Sequence, residues 1–287
     1  MSTVLLVGGT GNLGQKVAQE LHRAGYAVTA LVRNPQKAER LKPFVQQFIT
    51  GDATKPDDVS GLCAGIDIVV STLGKSVSLN DRSRAGFEEV DYGANARLLQ
   101  EARRQNVRKF VYVSALGAEN YPDLRYFAVH HRFSQEIIAS GLDYSIIKPP
   151  ALFSAFTDLI DLAKKGMLVT PGDGRHLTNP IYEGDLARVI VESIGQPNSV
   201  VEAGGRQVYS RHQINELIQR HVNPNGKVRR IPLGLAKSGL PLMKLIDRNL
   251  YDKGAFFLEV LQHDVIAPQR GETSLETYLD QKLYARS

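Results

Sequence analysis

A glycine-rich turn between an apolar segment and a helical pattern constrains this chain more than any other feature. Residues 3–7 are almost entirely apolar, and residues 8–14 follow immediately as G-G-T-G-N-L-G. From Leu13 the apolar residues recur at every fourth position, through Val17 to Leu21, which is a helical period. The sequence therefore predicts a strand, a tight glycine turn and a helix in its first 23 residues.

The alternation of strand and helix continues over the next 120 or so residues. The expected order after the first helix is a strand at 27–32, a helix at 35–41, a strand near Phe48, a helix at 57–62, a strand at 66–71, a helix at 92–105, a strand at 110–114, a helix at 127–140 and a strand at 144–147. Apolar strands that alternate with helices form a parallel sheet covered on both faces. The predicted fold class is α/β, a Rossmann-type doubly wound parallel sheet.

The regular alternation ends at the Pro149-Pro150 pair. Helices are predicted at 156–165 and 184–194, an apolar run follows at 200–203, and the sequence beyond 205 is mostly helical in pattern. No low-complexity linker separates the two parts. We expect residues 1–150 to form the sheet domain, and residues 151–287 to be a smaller, mostly helical region interleaved with the same sheet and not an independent domain.

Composition excludes several protein classes. Hydrophobic residues make up 43% and charged residues 23%, and no apolar run approaches the roughly 18 residues of a membrane span, so neither a disordered nor a membrane-spanning protein is expected. The single cysteine, Cys63, cannot form an internal disulfide, and residues 1–3 lead into the first strand without a signal-peptide core. These features favour a cytoplasmic location.

The charge balance is mildly basic, with 35 Lys and Arg against 30 Asp and Glu and a net charge of +5. Such a surplus suits an anionic cofactor or a polyanion. The longest like-charged blocks are the pairs Lys164-Lys165 and Arg229-Arg230, and no basic stripe is interleaved with aromatic residues. We therefore expect no nucleic-acid partner, and we expect the surplus charge to be scattered over the surface.

The glycine turn also matches a chemical demand. Residues 9–14 read G-x-G-x-x-G, and glycines at these places let the backbone turn after the strand, approach a pyrophosphate and pack the helix on the sheet. The N–H groups and dipole of the helix then hold the phosphates. Because the motif lies between a predicted strand and helix, it predicts a dinucleotide site. The expected contacts are Gly8, Thr10, Gly11, Asn12, Leu13 and Gly14.

The residue after the second strand indicates which dinucleotide is bound. An NAD site would place Asp or Glu there, but this chain has Arg33, whose guanidinium can bind a 2′-phosphate, and Lys37 can add a second positive charge. The alternative is that Arg33 is solvated on a loop. We predict NADP, as NADPH, in preference to NAD.

Further cofactor contacts are expected where the third and fourth strands end. Asp52 is placed to accept a hydrogen bond from the adenine amino group, although an Asp before a helix also serves as a cap. The carboxyl edge of the sheet is where dinucleotides lie in such folds. The other expected contacts at this edge are Ala53, Ser71, Thr72, Leu73 and Gly74.

Several segments together resemble the atypical short-chain dehydrogenase/reductases, with NmrA-like proteins and the group containing divinyl chlorophyllide reductase as the most similar branches. The segments are G-G-T-G-N-L-G, residues 31–35, Gly51-Asp52, residues 68–71, residues 110–114 and residues 141–149, with thinner similarity at 179–187, 231–234 and 271–276. The resemblance implies a Rossmann fold and NAD(P) binding. It also implies contacts to the cofactor from Asn95, although an Asn facing solvent would explain that residue equally well.

Typical members of this family use Ser, Tyr and Lys, with Tyr and Lys spaced as Y-x-x-x-K. Ser114 matches the serine region, but Tyr126 is followed four residues later by His130. If the family's Glu is placed at Glu136, the Lys position falls on Arg132 and the Tyr position on residue 128, an alanine. In either register the chain departs from the family pattern.

Each replacement has a chemical interpretation. His130 can act as a proton shuttle, or it can belong to an aromatic-rich helix face. Arg132 can contact the ribose or a phosphate but cannot give up a proton at ordinary pH. Lys148, after the sixth strand, is expected near the nicotinamide or at the surface. Neither His130 nor His131 has a further ligand at metal spacing, so no metal site is expected.

These observations favour an NADP(H)-dependent reductase that transfers hydride to a small carbonyl, quinone or activated C=C substrate. We expect Phe153, Phe156 and Asn179 to hold that substrate. The alternative is an NADP(H)-binding sensor or scaffold without turnover, which the broken Y-x-x-x-K pattern supports. Residues 235–245 suit a lid or a contact in a homodimer, although core packing is the favoured interpretation.

Overall fold

Eleven strands occur in the computed structural model, which describes residues 1–284. In chain order they are β1 (Thr3–Val7), β2 (Ala27–Val32), β3 (Gln47–Thr50), β4 (Ile68–Ser71), β5 (Lys109–Val113), β6 (Asp143–Lys148), β7 (Val169–Pro171), β8 (Leu177–Thr178), β9 (Ser199–Glu202), β10 (Tyr209–Ser210) and β11 (Arg229–Ile231). Seven of them form one sheet, in the order β3-β2-β1-β4-β5-β6-β9. All neighbours in this sheet are parallel, which confirms the predicted doubly wound fold.

The strand order reverses beside β1. After β3 the chain crosses back and places β4 on the other side of β1, with Val7 in register with Ser71. The carboxyl ends of β1 and β4 therefore diverge into helices on opposite faces of the sheet. In open α/β sheets, the crevice at such a switch point is where ligands bind.

Twelve α-helices accompany the strands within residues 1–284. They are α1 (Asn12–Arg23), α2 (Pro35–Ala38), α3 (Pro56–Val59), α4 (Asn95–Arg104), α5 (Arg125–Ile138), α6 (Thr157–Lys164), α7 (Glu183–Ser193), α8 (Arg211–Val222), α9 (Leu233–Lys237), α10 (Leu240–Ile246), α11 (Arg248–Val260) and α12 (Leu275–Tyr284). A π-helical segment, Glu88–Ala94, leads directly into α4, and short 3₁₀ turns lie at Glu39–Leu41, Ala118–Asn120 and Phe153–Phe156. None of the helices within residues 1–284 is long and apolar enough to cross a membrane.

Alternate residues of the strands supply two core layers. In β1, Val4 and Leu6 join the layer under α1 and α7, while Leu5 faces the opposite layer under α4 and α5. This follows from the two-residue period of a strand. All three side chains are fully buried, so β1 is an inner strand that is apolar on both faces.

The second half of the chain is joined to the sheet by β9, which pairs with β6. A third core cluster forms from α6, α8 and α12, with Phe153, Ile160, Ile218 and Leu279 among its buried members. Two small sheets, β8 with β10 and β7 with β11, complete this region.

Two helices of this region do not pack as expected. The interpretation of residues 235–245 as core is wrong, because α9 and α10 contain no buried residue. Leu235 is 64% exposed and Leu245 is 85% exposed. Helical periodicity predicts where apolar residues share a face, but it does not predict whether another element covers that face.

Candidate nucleotide-binding site

The glycine loop is held between β1 and the end of β4. Gly8 has φ +86, and a Cβ there would meet the carbonyl group of Thr72 at 2.7 Å. A Cβ on Gly14 would overlap the carbonyl oxygen of Gly8, so only glycine lets α1 begin this close to the strand. These two glycines are explained by the fold itself.

Gly11 is different, because nothing in the protein requires glycine at this position. Its backbone (φ −74, ψ 168) is accessible to any residue, and a Cβ would only touch the oxygen of Gly8 at 3.4 Å. Gly11 is exposed and is the N-cap residue of α1. The space that a side chain would fill is therefore left open beside the first turn of the helix.

The N-terminus of α1 is suited to an anion. No side chain caps the helix and no acidic residue lies in its first turn, so its first N–H groups are left for a ligand or for water. Asn12 is exposed, whereas the side chain of Leu13 is buried, which leaves only the backbone of Leu13 at the site. The carbonyl of Thr10 accepts a hydrogen bond from the Gln15 side chain at 3.0 Å, which steadies the loop.

Two positive charges lie beyond the end of β2. Arg33 is exposed, and its Nη1 is 3.9 Å from Oδ2 of Asp52. Lys37 is exposed on α2, whose N-terminus is capped by the side chain of Asn34. Because a 3.9 Å exposed contact is weak, the guanidinium of Arg33 can turn to another anion at little cost.

Asp52 makes a local turn and also faces Arg33. Its Oδ1 accepts hydrogen bonds from the backbone N–H of Thr54 at 3.0 Å and from the Thr54 hydroxyl at 2.9 Å. Partial burial by itself raises the pKa of Asp52, but these hydrogen bonds and the charges of Arg33 and Lys55 outweigh burial and lower it. Asp52 is therefore a carboxylate whose Oδ1 accepts the hydrogen bonds of the turn, while its Oδ2 faces Arg33. The side chain of Ala53 is buried.

Side-chain hydrogen bonds fix the end of β4. Ser71 and Asn95 are fully buried, and the Ser71 hydroxyl donates to Oδ1 of Asn95 at 2.6 Å. The Asn95 amide in turn donates to the carbonyl of Asp91 at 2.9 Å, and the Thr72 hydroxyl donates to the carbonyl of Val7. The Ser71 hydroxyl and the Asn95 amide also contact the backbone of Leu73, so they position the segment of Leu73 and Gly74. Asn95 does not face solvent.

His130 lies in a buried polar relay that also contains Tyr112 and Asp91. The Tyr112 hydroxyl is 2.6 Å from Nδ1 of His130, and Nε2 is 3.4 Å from Oδ1 of Asp91. Burial raises the pKa of Tyr112 well above its ordinary value, so the phenol keeps its proton. Burial also raises the pKa of Asp91, the carboxyl that faces Nε2.

Tyr126 lies against this relay. Its ring centroid is 4.6 Å from that of His130, and it is enclosed by Phe87, Phe127 and Phe256. Within residues 1–284 its hydroxyl makes no hydrogen bond, and burial raises its pKa, so the phenol is protonated at neutral pH. Tyr126 thus lies next to His130, which is the pair that the first sequence register suggested. Unlike the Tyr112 hydroxyl, the Tyr126 hydroxyl has no hydrogen-bond partner within residues 1–284.

The other expected catalytic residues are Ser114, which directly follows β5, and Arg132, which lies on α5. Ser114 is buried and pairs with the hydroxyl of Ser134 at 3.1 Å. Arg132 instead faces the π-helical segment, where its guanidinium stacks 3.3 Å from the ring centroid of Tyr92 and pairs with Glu88. Arg132 is therefore not brought together with Tyr126 and His130. Lys148 is the last residue of β6, and its Nζ is 2.9 Å from Glu119.

A cluster that the sequence did not indicate lies under the loop after β4. The ammonium groups of Lys75 and Lys253 are almost completely buried, and both contact Oδ2 of Asp81. Lys253 also donates to the carbonyl of Ser78 at 2.8 Å, so α11 holds this loop in place. The only local signal is a lysine within the apolar sequence of α11, next to residues 254–258.

The residues expected to hold a substrate lie elsewhere. Phe153 is 1% exposed and packs against Tyr278 and Tyr182, and Phe156 is also in the core. Asn179 donates to the carbonyl of Ala267 and accepts from its N–H, so its amide is fully used within the fold. The prediction that these side chains face a substrate is wrong. Within residues 1–284, no group of three or more His, Cys, Asp or Glu is arranged to hold a metal ion.

Comparison with known proteins identifies the family of this chain. Residues 8–197 match the family model described as NAD(P)H-binding. The Photosystem II assembly factor Ycf39 of Trieres chinensis is 25% identical over 262 residues, covering 88% of this chain and 80% of that protein. The chloroplastic divinyl chlorophyllide a 8-vinyl-reductase of Zea mays is 30% identical over 233 residues, covering 71% of this chain and 55% of the reductase.

A solved structure supports the fold. The NADPH complex of the NADPH-dependent quinone oxidoreductase QOR2 from Escherichia coli superposes with a TM-score of 0.70 and 18% identity, covering 97% of this chain and 99% of that one. Identity at this level shows a shared fold. The family match spans the glycine loop, the sheet edge and α5, which are the elements that build the site described above. The chain therefore belongs to the NAD(P)H-binding family.

Proposed function

We propose that this protein is an NADP(H)-dependent reductase that transfers hydride to a small carbonyl, quinone or activated C=C substrate. The observation that carries the proposal is Gly11, an exposed glycine that neither backbone conformation nor packing requires. Its missing side chain leaves access to the N–H groups of α1, as a pyrophosphate needs. When bound there, the cofactor supplies the hydride.

The preference for NADP rests on charge. Arg33 and Lys37 are exposed beyond β2, and the nearest carboxylate, Asp52, is held mainly by Thr54. A guanidinium binds a phosphate bidentately, whereas an acidic residue at the same place would repel it. The ribose 2′-phosphate of NADP is the group that these two cations would bind.

Tyr126 is our candidate for the residue that gives a proton to the reduced substrate. Its phenol stays protonated at neutral pH and makes no hydrogen bond within residues 1–284. The adjacent His130 is oriented at both ring nitrogens by Tyr112 and Asp91, so its imidazole is a fixed polar group beside the phenol. The ring of Phe256, from α11, covers the other side and brings the region after residue 151 to the site.

The decisive experiment measures binding and turnover separately. Purified protein is titrated with NADPH and then mixed with quinones, enals and aromatic aldehydes while the absorbance of the reduced cofactor is followed. Gly11→Ala should lose nucleotide binding by at least roughly tenfold, because the new methyl group occupies the phosphate position. Gly195→Ala is the matched control, since its Cβ meets only the Glu192 oxygen at 4.0 Å. Unchanged binding by Gly11→Ala would overturn the site.

A second candidate function is a cofactor-binding scaffold or sensor without turnover. It is favoured by Arg132, which stands at the family's Lys position in one register and is stacked on Tyr92. The similarity to proteins named as Photosystem II assembly factors agrees with this alternative. Tight NADPH binding with no substrate-dependent oxidation across the panel would favour the scaffold over the reductase.

A further inference from the structure

One segment of this protein combines a local surplus of positive charge with exposed apolar side chains. Residues 227–248, here called the basic apolar segment, contain six of the 35 Lys and Arg and one of the 30 Asp and Glu. The segment therefore carries a charge of +5 in 22 residues, and the remaining 265 residues carry 29 charges of each sign.

All six cations of the basic apolar segment are exposed. One lies before β11, two lie within β11, and three lie on or next to α9, α10 and α11. They are Lys227, Arg229, Arg230, Lys237, Lys244 and Arg248. Asp247, the only acidic residue of the segment, caps α11 through the N–H groups of Asn249 and Leu250. The negative charge of Asp247 thus interacts with the N-terminus of α11, and the net charge of the segment is positive.

The same segment exposes large apolar side chains. Leu235 and Leu242 are 64% and 61% exposed, and Leu245 and Ile246 are 85% and 74% exposed. One side of α10 is covered, because Leu240 and Met243 face Gly254 of α11. Helical spacing places residues 242, 245 and 246 together on the opposite side, where no part of residues 1–284 buries them.

Exposed leucines in a segment rich in cations suit one kind of partner best. At a lipid surface, apolar side chains enter the acyl boundary while Lys and Arg remain at anionic headgroups. Nucleic acid would use the cations but not the leucines. A second copy of this chain would use the leucines but would bring two surpluses of +5 together.

We propose that the basic apolar segment docks this protein on the surface of an anionic lipid bilayer without spanning it. Leu242, Leu245 and Ile246 of α10 enter the acyl boundary, and the six cations contact the headgroups. The inference does not depend on the proposed reductase activity.

Vesicle co-sedimentation tests the apolar part of the proposal. The full chain is mixed with vesicles of pure phosphatidylcholine, or of phosphatidylcholine and phosphatidylglycerol in equal parts. We expect binding to the anionic vesicles only. The double variant Leu245→Asp, Ile246→Asp should reduce binding by at least roughly tenfold. Met167→Asp, at an exposed methionine outside the segment, should leave binding unchanged and serves as the control.

Charge reversal tests the electrostatic part. Lys237→Glu with Lys244→Glu should weaken binding by roughly tenfold or more, whereas the control pair Lys164→Glu with Lys165→Glu changes net charge equally and should have little effect. Binding should also fall when salt is raised from about 0.1 M to about 0.5 M, because the screening length shortens. Circular dichroism checks that each variant is folded.

Three results would overturn the proposal. The first is no binding to anionic vesicles by the wild-type chain, and the second is binding that the Leu245→Asp, Ile246→Asp variant retains. The third is binding to a duplex oligonucleotide that exceeds vesicle binding and is insensitive to the same variant, which would indicate nucleic acid. If vesicles are not bound and this variant converts a dimer to a monomer in analytical ultracentrifugation, the segment is a contact between two copies.

Discussion

The Tyr112 hydroxyl lies 2.6 Å from Nδ1 of His130, and both side chains are buried at the carboxyl half of the sheet. Tyr112 comes from β5 and His130 from α5, so the bond ties a central strand to the helix that covers it. Asp91, from the π-helical segment, closes the other side of the imidazole. The Tyr126 ring packs against the imidazole of His130, which these two hydrogen-bonding partners orient.

Tyr112→Phe should destabilise the fold by about 1–3 kcal/mol, because it leaves the Nδ1 of His130 buried without a partner. Urea unfolding monitored by circular dichroism measures the change. Tyr144→Phe is a matched control, since Tyr144 is half-buried in the same core layer and its hydroxyl makes no hydrogen bond within residues 1–284. Equal stability of the two variants would contradict the assigned bond.

Asp81→Asn should lower the free energy of unfolding at neutral pH by roughly 3 kcal/mol, because Lys75 and Lys253 lose the carboxylate that pairs with both buried ammonium groups. Asp123→Asn, at an exposed position, is the control and should have little effect. Chemical denaturation at pH 7 provides the comparison. If both variants unfold at the same denaturant concentration, the cluster does not stabilise the loop after β4.

The same residue predicts an acid dependence. Partial burial raises the pKa of Asp81, but hydrogen bonds from Lys75 and Ser83 and the charge of Lys253 outweigh burial and hold the pKa well below its ordinary value. A carboxyl whose pKa is lowered by folding stabilises the native state above its unfolded pKa of about 4, and this contribution is lost as the pH falls toward the folded pKa. The wild-type chain should therefore lose more stability below about pH 4 than Asp81→Asn does.

Arg33→Asp should lower the ratio of NADP to NAD affinity by roughly tenfold to a hundredfold, because a charge-assisted hydrogen bond is replaced by repulsion of the 2′-phosphate. Fluorescence titration with both reduced dinucleotides measures the ratio. Arg40→Asp makes the same charge change at another exposed position, after α2, and should leave the ratio unchanged. A ratio that responds equally to both variants would remove Arg33 from the site.

Cys63 should be inert in the folded protein. Its side chain is fully buried, and burial, with a smaller contribution from Glu101, raises the pKa of the thiol to about 12. Because the thiolate is the reactive form, a disulfide reagent at pH 8 should label Cys63 only after a denaturant is added. Rapid labelling of the native protein, followed by absorbance or mass spectrometry, would show that the core around Cys63 opens readily.

Much of the fold could be predicted because its signals are local. The strand, glycine turn and helix of residues 3–23 follow from spacing alone, and the observed β1 and α1 match them. The ends of the elements differ from the prediction. Tyr92, the expected start of a helix, lies within the π-helical segment Glu88–Ala94, and α5 begins at Arg125, two residues early. These differences are small, but the early start places Tyr126 in the first turn of α5.

The sequence by itself determined two features, the parallel sheet and the glycine turn that contains Gly11. Both depend on periodicity and backbone chemistry within short segments. Only the tertiary structure decided that Asp91, Tyr112 and His130 meet, that Asn179 is used by the fold, and that the apolar face of α10 is left uncovered. Contacts between residues far apart in the chain leave no local pattern. An apolar helix face has the same sequence whether another element covers it or not.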